Sequence, residues 1–434
     1  MGKVLALTLT LPVVAVAAAG AYMTHTNVVA YEQAAQKALQ DSNAELLTQG
    51  IKVNYELVSS NWFGASREEA YTVRMLEQGA DILTVRQHVT IEPFRAYGSF
   101  GIDPDAGMAA MFLKQVPQLT DQQRGEWQLD GRTGQITTHY QTGGFRLPVP
   151  NGELSVSPLI MDSVSWLEEP RRSKTTIELR RVAAKSPDLG KEGELNNLSM
   201  EFRGHMQGNK PFIDRASYSI GELVFTDGDD KTRIAGFSTT QAALLERGIF
   251  SMLVSTELKD LKVSAATNDL SVDPSTVRIF VDGLNWKALQ ATSDVLAETD
   301  SDAVSPYVIL DALAGIGAEG ASVTLEELQS SFVFNDRSPD GIGAAGDFTA
   351  KGSVTLQPGD AGTLAQEWPL RTQADLSLNL SRSLMQSPLS ELMVGLIDEG
   401  YLREEGDRLL CDLRYAAGVI TANNLPVDTM AFSD

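Results

Sequence analysis

The sequence predicts an α+β protein that is predominantly β. It should have long, curved antiparallel sheet(s) carrying a few packed helices, preceded by an N-terminal membrane helix. Three observations lead there. From about residue 50 the dominant hydrophobic period is two, the mark of half-buried strands. Three short segments after residue 282 switch to helical spacing. Residues Val4 to Ala21, VLALTLTLPVVAVAAAGA, form one uncharged and mostly apolar run behind Lys3.

That run approaches the ~20 residues needed to cross a hydrocarbon core of ~30 Å. Lys3 and the amino terminus hold its start on the cytoplasmic side, so everything after Tyr22 is expected to be exported. Ala19-Gly20-Ala21 offers a small-residue cleavage site, the alternative reading. The run exceeds a usual signal h-region, and a helical pattern (Val28, Tyr31, Ala35, Leu39, Leu46) continues straight from it. A retained anchor through residues 4–21 is the expectation, followed by a helical stalk.

The strand pattern is clearest in LRTQADLSLNL, 370–380. Leu370, Thr372, Ala374, Leu376, Leu378 and Leu380 fall on one face and Arg371, Gln373, Asp375, Ser377 and Asn379 on the other. Eleven extended residues span ~36 Å, about twice a usual strand. The same alternation marks 51–58, 154–160, 175–182, 197–204, 217–226, 257–265, 323–334 and 347–356. Strands longer than a compact core requires tend to curl, hence the expectation of curvature.

Helices are expected at 283–298, 305–314 and 387–400. The second has Ser305 as N-cap and Pro306 at its first position. In the third, Ser387 caps, Pro388 starts, Leu389, Leu392, Met393, Leu396 and Ile397 form the stripe, and Gly400 stops it. A hairpin with Gly418 in its turn follows. The expected organisation is an anchor or signal segment (1–23), a helical stalk (24–49), a mostly β region (50–282) and an α+β region continuing the sheet (283–434).

Composition excludes several functions. With 57 acidic and 35 basic residues the formal charge is −22, which repels nucleic acid. The single cysteine, Cys411, forbids an intramolecular disulfide or a thiolate metal cluster. It shares a strand face with Leu409, Leu413 and Tyr415 and reads as buried and structural.

The chemical motifs are weak. Gly315-Ile-Gly317-Ala-Glu-Gly320 and Gly341-Ile-Gly343-Ala-Ala-Gly346 match a dinucleotide pattern, but neither stands between a strand and a helix as that site requires. His25, His88, His139 and His205 lack metal-ligand spacing. No G-x-S-x-G nucleophile turn occurs. Asp103-Pro-Asp105 and Asp227-Gly-Asp229-Asp230 lack a calcium loop's spaced series. Glu168 and Glu169 are only sequence neighbours. Trp62-Phe63, Trp127, Trp166 and Trp286 read as core anchors and not as a sugar platform. No catalytic, cofactor-binding or metal residue is assigned, and no cofactor is expected.

The stretch GYLREEGDRLLCDLRYAAGVITANNLPVD, 400–428, resembles the terminal segment of the YdgA-like family. The likeness lies in Gly400-Tyr401-Leu402, Gly406-Asp407, the Leu409-to-Tyr415 strand, Gly418 and Asn423-Asn424-Leu425-Pro426-Val427. Asn423-Asn424 stands where the family usually has Asn-Gly. Segments 281–298, 305–328 and 54–73 resemble family elements in the same order. Trp62-Phe63-Gly64 replaces the family's arginine-glycine-x-phenylalanine, and His88 is displaced from Pro93 where the family has a contiguous His-Gly-Pro. The resemblance implies a non-enzymatic, single-pass inner-membrane protein with its bulk in the periplasm, a cell-envelope protein of unestablished role. The strand lengths add lipid or another hydrophobic ligand, or an envelope protein, as the expected partner. The alternatives are an envelope hydrolase with a site assembled from distant residues, and a purely structural interaction domain.

Overall fold

A computed structural model describes residues 28–47, 50–61, 65–92, 95–166, 172–186, 189–207, 210–298, 315–337, 341, 343–387 and 389–427. Strands dominate, every pairing that can be read is antiparallel, and the helices are few. The expected membrane helix, cleavage site and helix at 305–314 lie outside the described residues. Among the described residues no helix is long and apolar enough to cross a membrane. The chain forms two compact units, Met1–Lys185 with Asn196–Ile213, and Ser186–Leu195 with Asp214–Asp434. The sheet runs on across 282/283, where the strand ending at Asn285 pairs with the one beginning at Ala321.

The first unit opens with α1 (Val28–Leu46). Its sheet contains β1 (Ile51–Ser60), β2 (Ser66–Met75), β3 (Ala80–Glu92), β4 (Arg95–Ile102), β5 (Arg124–Asp130), β6 (Gln135–Gln141), β7 (Phe145–Val149), β8 (Gly152–Val156), β9 (Leu159–Trp166) and β10 (Arg172–Ser186). Short helices α2 (Ala109–Leu113) and α3 (Gln118–Asp121) fill the β4–β5 connection. Strands β1 to β6 form a meander, β9 pairs with β6, and β10 pairs with β9 and then β8. The single strand expected over 154–160 is therefore two. Pro158 has no N–H to give a ladder, and Ser157 bridges the break: its N–H donates to Arg181 O and its Oγ accepts from Arg181 N–H, both at 2.9 Å.

α1 is packed on this sheet and not free-standing. Tyr31 and Ala35 join Val89, Ala96, Trp127, Leu129 and Ile136, while Leu46 joins Ile51, Val53, Tyr71, Val73, Leu83 and Val85. Two inward glycines make room for aromatic neighbours. A Cβ on Gly98 would lie 2.6 Å from Trp127 Nε1, and one on Gly125 2.7 Å from the Phe100 ring, which stacks on Tyr140 at 5.6 Å.

The second unit is built of long strands. β11 (Lys191–Gln207) and β12 (Lys210–Asp227) have residues in both units. They are followed by β13 (Asp230–Glu246), β14 (Ile249–Leu258), β15 (Asp260–Ser264), β16 (Asn268–Asn285), α4 (Trp286–Glu298), β17 (Ala321–Asp336), β18 (Gly343–Leu356), α5 (Leu364–Arg371), β19 (Thr372–Ser381), α6 (Ser390–Asp398), β20 (Arg403–Glu405), β21 (Arg408–Ala416), β22 (Val419–Ala422) and β23 (Leu425–Pro426). The expected strand at 257–265 breaks at Lys259. β13 turns through Gly236 (φ +62°) at the same level, and the Lys259 stem occupies the space a Cβ there would need. Bulges interrupt pairing at Val272/Ser275, around Pro274, and at Leu325/Leu328, which is where long strands bend.

The helix expected at 283–298 begins at Trp286, because 283–285 complete β16; Asn285 Oδ1 accepts from Ala288 N–H at 3.0 Å. The helix expected from Pro388 begins at Ser390. Its stop is as expected: Gly400 (φ +79°) donates to Ile397 O and Tyr401 to Leu396 O, the pattern of a left-handed cap. Ala417 and Gly418 both have positive φ and turn β21 into β22.

Candidate functional site

The register of the second unit's strands lines up its side chains row by row, and directly paired residues share a face. One row runs Met252–Val281–Val323–Val354–Ala374–Tyr415–Ile420. The next runs Val254–Ile279–Leu325–Gly352–Leu376–Leu413–Ala422, and the third Val277–Leu328–Ala350–Leu378–Cys411. The opposite face carries Thr324–Ser353–Asp375–Arg414 and Lys351–Ser377–Asp412. There Ser353 donates to Asp375 and Ser377 to Asp412, each at 2.7 Å. The sheet is apolar on one side and polar on the other over the four strands β17, β18, β19 and β21, about 14 Å at ~4.8 Å per spacing; beyond Thr324 the opposite-face row continues into Phe280 and Leu253.

Cover over the apolar side is uneven. At one end α6 lays Met393, Leu396 and Ile397 on Leu378, Leu380, Leu409 and Cys411, with Met385 and Leu402 closing the cluster. Burial raises the pKa of the Cys411 thiol, and Asp412 beside it acts in the same direction. Leu389 and Leu392 of the expected stripe are exposed instead. Toward the other end the same face opens: Val323 is 43% exposed and Val354 47%.

α5 stands at this open end. Arg371, itself buried, pins it: Nε and Nη2 donate to Gln357 O at 3.1 and 2.8 Å, and Nη1 to Asp360 O at 3.3 Å. A Cβ on Gly359 would fall 2.4 Å from the Arg371 guanidinium carbon. α5 thereby presents Trp368, stacked on Tyr415 at 6.1 Å and 21°.

The first unit holds a buried polar cluster. Arg67 and Glu69, 2% and 0% exposed, point inward from β2. Tyr31 and Tyr71 donate to Glu69 Oε2 at 3.1 and 2.9 Å, and Gln87 Nε2 does so at 3.2 Å. Tyr55 accepts from Arg67 Nη2 at 2.8 Å and donates to Glu69 Oε1 at 3.3 Å. Arg67 Nη1 donates to Glu32 Oε1 at 3.0 Å. Burial and then the Glu69 charge push the Tyr55 phenol up to about 12. Burial and Glu69 also raise Tyr31, while burial followed by Tyr31 and Glu69 raises Tyr71. With Arg67, Glu69, Tyr31, Tyr71 and Gln87 buried and Glu32 at its exposed rim, the cluster ties α1 to the sheet.

The histidines lie on separate strands. His88, Ser99, Glu126, His139 and Asp162 occupy one cross-strand row on the outer face of the first sheet. His139 Nδ1 is 2.7 Å from Asp162 Oδ1, and His88 Nε2 is 3.4 Å from Ser66 Oγ. The Ser–His and His–Asp contacts use different histidines, so no relay forms. His205 packs on Phe212, and His25 lies outside the described residues. Asp103 is paired with Arg86 and accepts from Asp105 N–H; these outweigh its burial and hold its carboxyl below the usual range. Asp227 pairs with Lys191, and Asp230 accepts from Ala266 N–H. Among the described residues no three His, Cys, Asp or Glu side chains converge on a metal position. Gly315–Gly320 links a helix end to β17 and Gly343–Gly346 opens β18.

Trp127 is buried, Trp286 stacks on Phe250 and Trp166 is partly exposed. Trp62, Glu168 and Glu169 lie outside the described residues. The sequence signal for the apolar rows was the alternation of 370–380. Trp368 lies just before it and carried no signal, because its role depends on Tyr415, brought beside it by the β19–β21 pairing.

Comparison with family models, with curated proteins and with solved structures returns no match.

Proposed function

We propose that the protein holds a hydrophobic ligand, the acyl chains of a lipid, on the apolar face of its second unit. The single observation that carries this reading is the set of three aligned apolar rows, covered by α6 at one end and open at the other. A face built only to pack internally would be sealed along its length, since exposed apolar area forgoes ~25 cal/mol per Å². The reading is of a non-enzymatic binding protein. It is joined to the sequence-based proposal of a YdgA-like, inner-membrane-anchored protein with its bulk in the periplasm, for which the support is the run Val4–Ala21 and the residues of 400–428.

Titration of the purified chain with pyrene-labelled phosphatidylcholine tests it. Saturable binding is expected, and Leu376→Glu, placing a charge in the middle row, should abolish it while Ser377→Glu on the polar face should not. Equal binding by both variants would overturn the assignment of the face.

A further inference from the structure

We infer that the open end of this face, where α5 meets β21 and β22, docks on a zwitterionic lipid bilayer. The inference rests on the reading that the apolar rows hold acyl chains and names where those chains would enter. Val323, Val354, Tyr415 and Ile420 belong to one cross-strand row, so they form a contiguous strip. Trp368 stacks on Tyr415 and is 52% exposed; Leu370, two residues on, is 69% exposed. A Trp–Tyr pair held at the edge of an apolar strip suits the headgroup boundary, where an apolar ring body and a polar tip are both satisfied.

Charge selects the kind of bilayer. Arg371 is spent on the carbonyls of Gln357 and Asp360, and Arg414 lies on the opposite sheet face beside Asp375. Glu367 is exposed on α5 itself. Among the described residues α5 and the β21–β22 turn carry no basic side chain besides Arg371, so with a chain charge of −22 this corner of the sheet repels anionic headgroups. The strip also continues without a polar break into the row ending at Met252, so a chain leaving the bilayer would stay on apolar surface.

The test uses the full chain with vesicles of brominated phosphatidylcholine, comparing emission quenching of the native protein with that of Trp368→Phe. Membrane insertion through other segments affects both equally, so the difference reports Trp368. The native protein should lose an additional share of its emission, and Ile420→Glu should remove that share. Replacing a third of the lipid with phosphatidylglycerol at low salt should reduce it. Identical quenching of native protein and Trp368→Phe would overturn bilayer contact, and stronger Trp368 quenching on the anionic vesicles would overturn the zwitterionic assignment. A lipid retained by the purified protein without Trp368 quenching defeats only the docking inference. Quenching without a retained lipid supports docking and defeats the lipid-holding reading.

Discussion

Arg67 and Glu69 stand two residues apart on β2, face the same buried side, and bring Nε to 2.7 Å from Oε1 inside a ring of three tyrosines. A buried ion pair is costly to break from one side, because the remaining charge keeps its desolvation penalty. Glu69→Ala should lower the stability of the first unit by about 3–5 kcal/mol. Replacing both partners, Arg67→Met with Glu69→Leu, should cost clearly less. Urea denaturation followed by tryptophan emission measures both. A double variant as unstable as the single one would refute the pair as the source of the loss.

The same cluster sets an alkaline limit. Tyr55 has its pKa raised from an ordinary 10.0 to about 12, and burial and the nearby charge also raise Tyr31 and Tyr71. A raised folded-state pKa stabilises fully below the unfolded value and is lost as pH climbs through the folded one. Stability should therefore be flat in this contribution below pH 10 and fall between 10 and about 12. Denaturation midpoints across that range check it, and Tyr55→Phe should shallow the decline. An unaltered decline in that variant would contradict the assignment.

Asn43 closes the edge of the first sheet. Its Nδ2 donates to Val53 O at 2.8 Å and its Oδ1 accepts from Val53 N–H at 2.7 Å, so one side chain takes the place of a neighbouring strand. Asn43→Ala should cost about 1–3 kcal/mol and speed amide exchange at Val53. Exchange at Val53 as slow as in the native protein would show that another group protects it.

Gly98 is required by contact, not by turn geometry. A Cβ there would lie 2.5 Å from His88 O and 2.6 Å from Trp127 Nε1. Gly98→Ala should cost about 1–3 kcal/mol and shift the near-ultraviolet dichroism of Trp127. A spectrum and stability matching the native protein would mean that the indole does not lie over Gly98.

Much of the second unit was legible because its sheet alternates cleanly: Leu376, Leu378 and Leu380 stand against Ser377 and Asn379, and the pairing keeps that order. Gly400 and Gly418 were legible because only left-handed backbone fits those places. Breaks inside an alternating run were not, since the pattern continues through Lys259 while the interruption comes from Gly236 on the neighbouring strand. The inward side of β2 was hidden for a different reason. Nothing in the local sequence marks Arg67 and Glu69 as buried, and one of the hydroxyls that satisfy Glu69 arrives from Tyr31, 38 residues earlier. The apolar rows likewise required register, which no single strand discloses.

Native mass spectrometry of the chain purified under mild extraction decides whether the apolar face of the second unit holds lipid. The native protein should show a mass in excess of the polypeptide that resolves into one or more lipids, lost in Leu376→Glu and kept in Ser377→Glu. A native protein that yields only the bare polypeptide mass under conditions that leave it folded would contradict the lipid-holding reading.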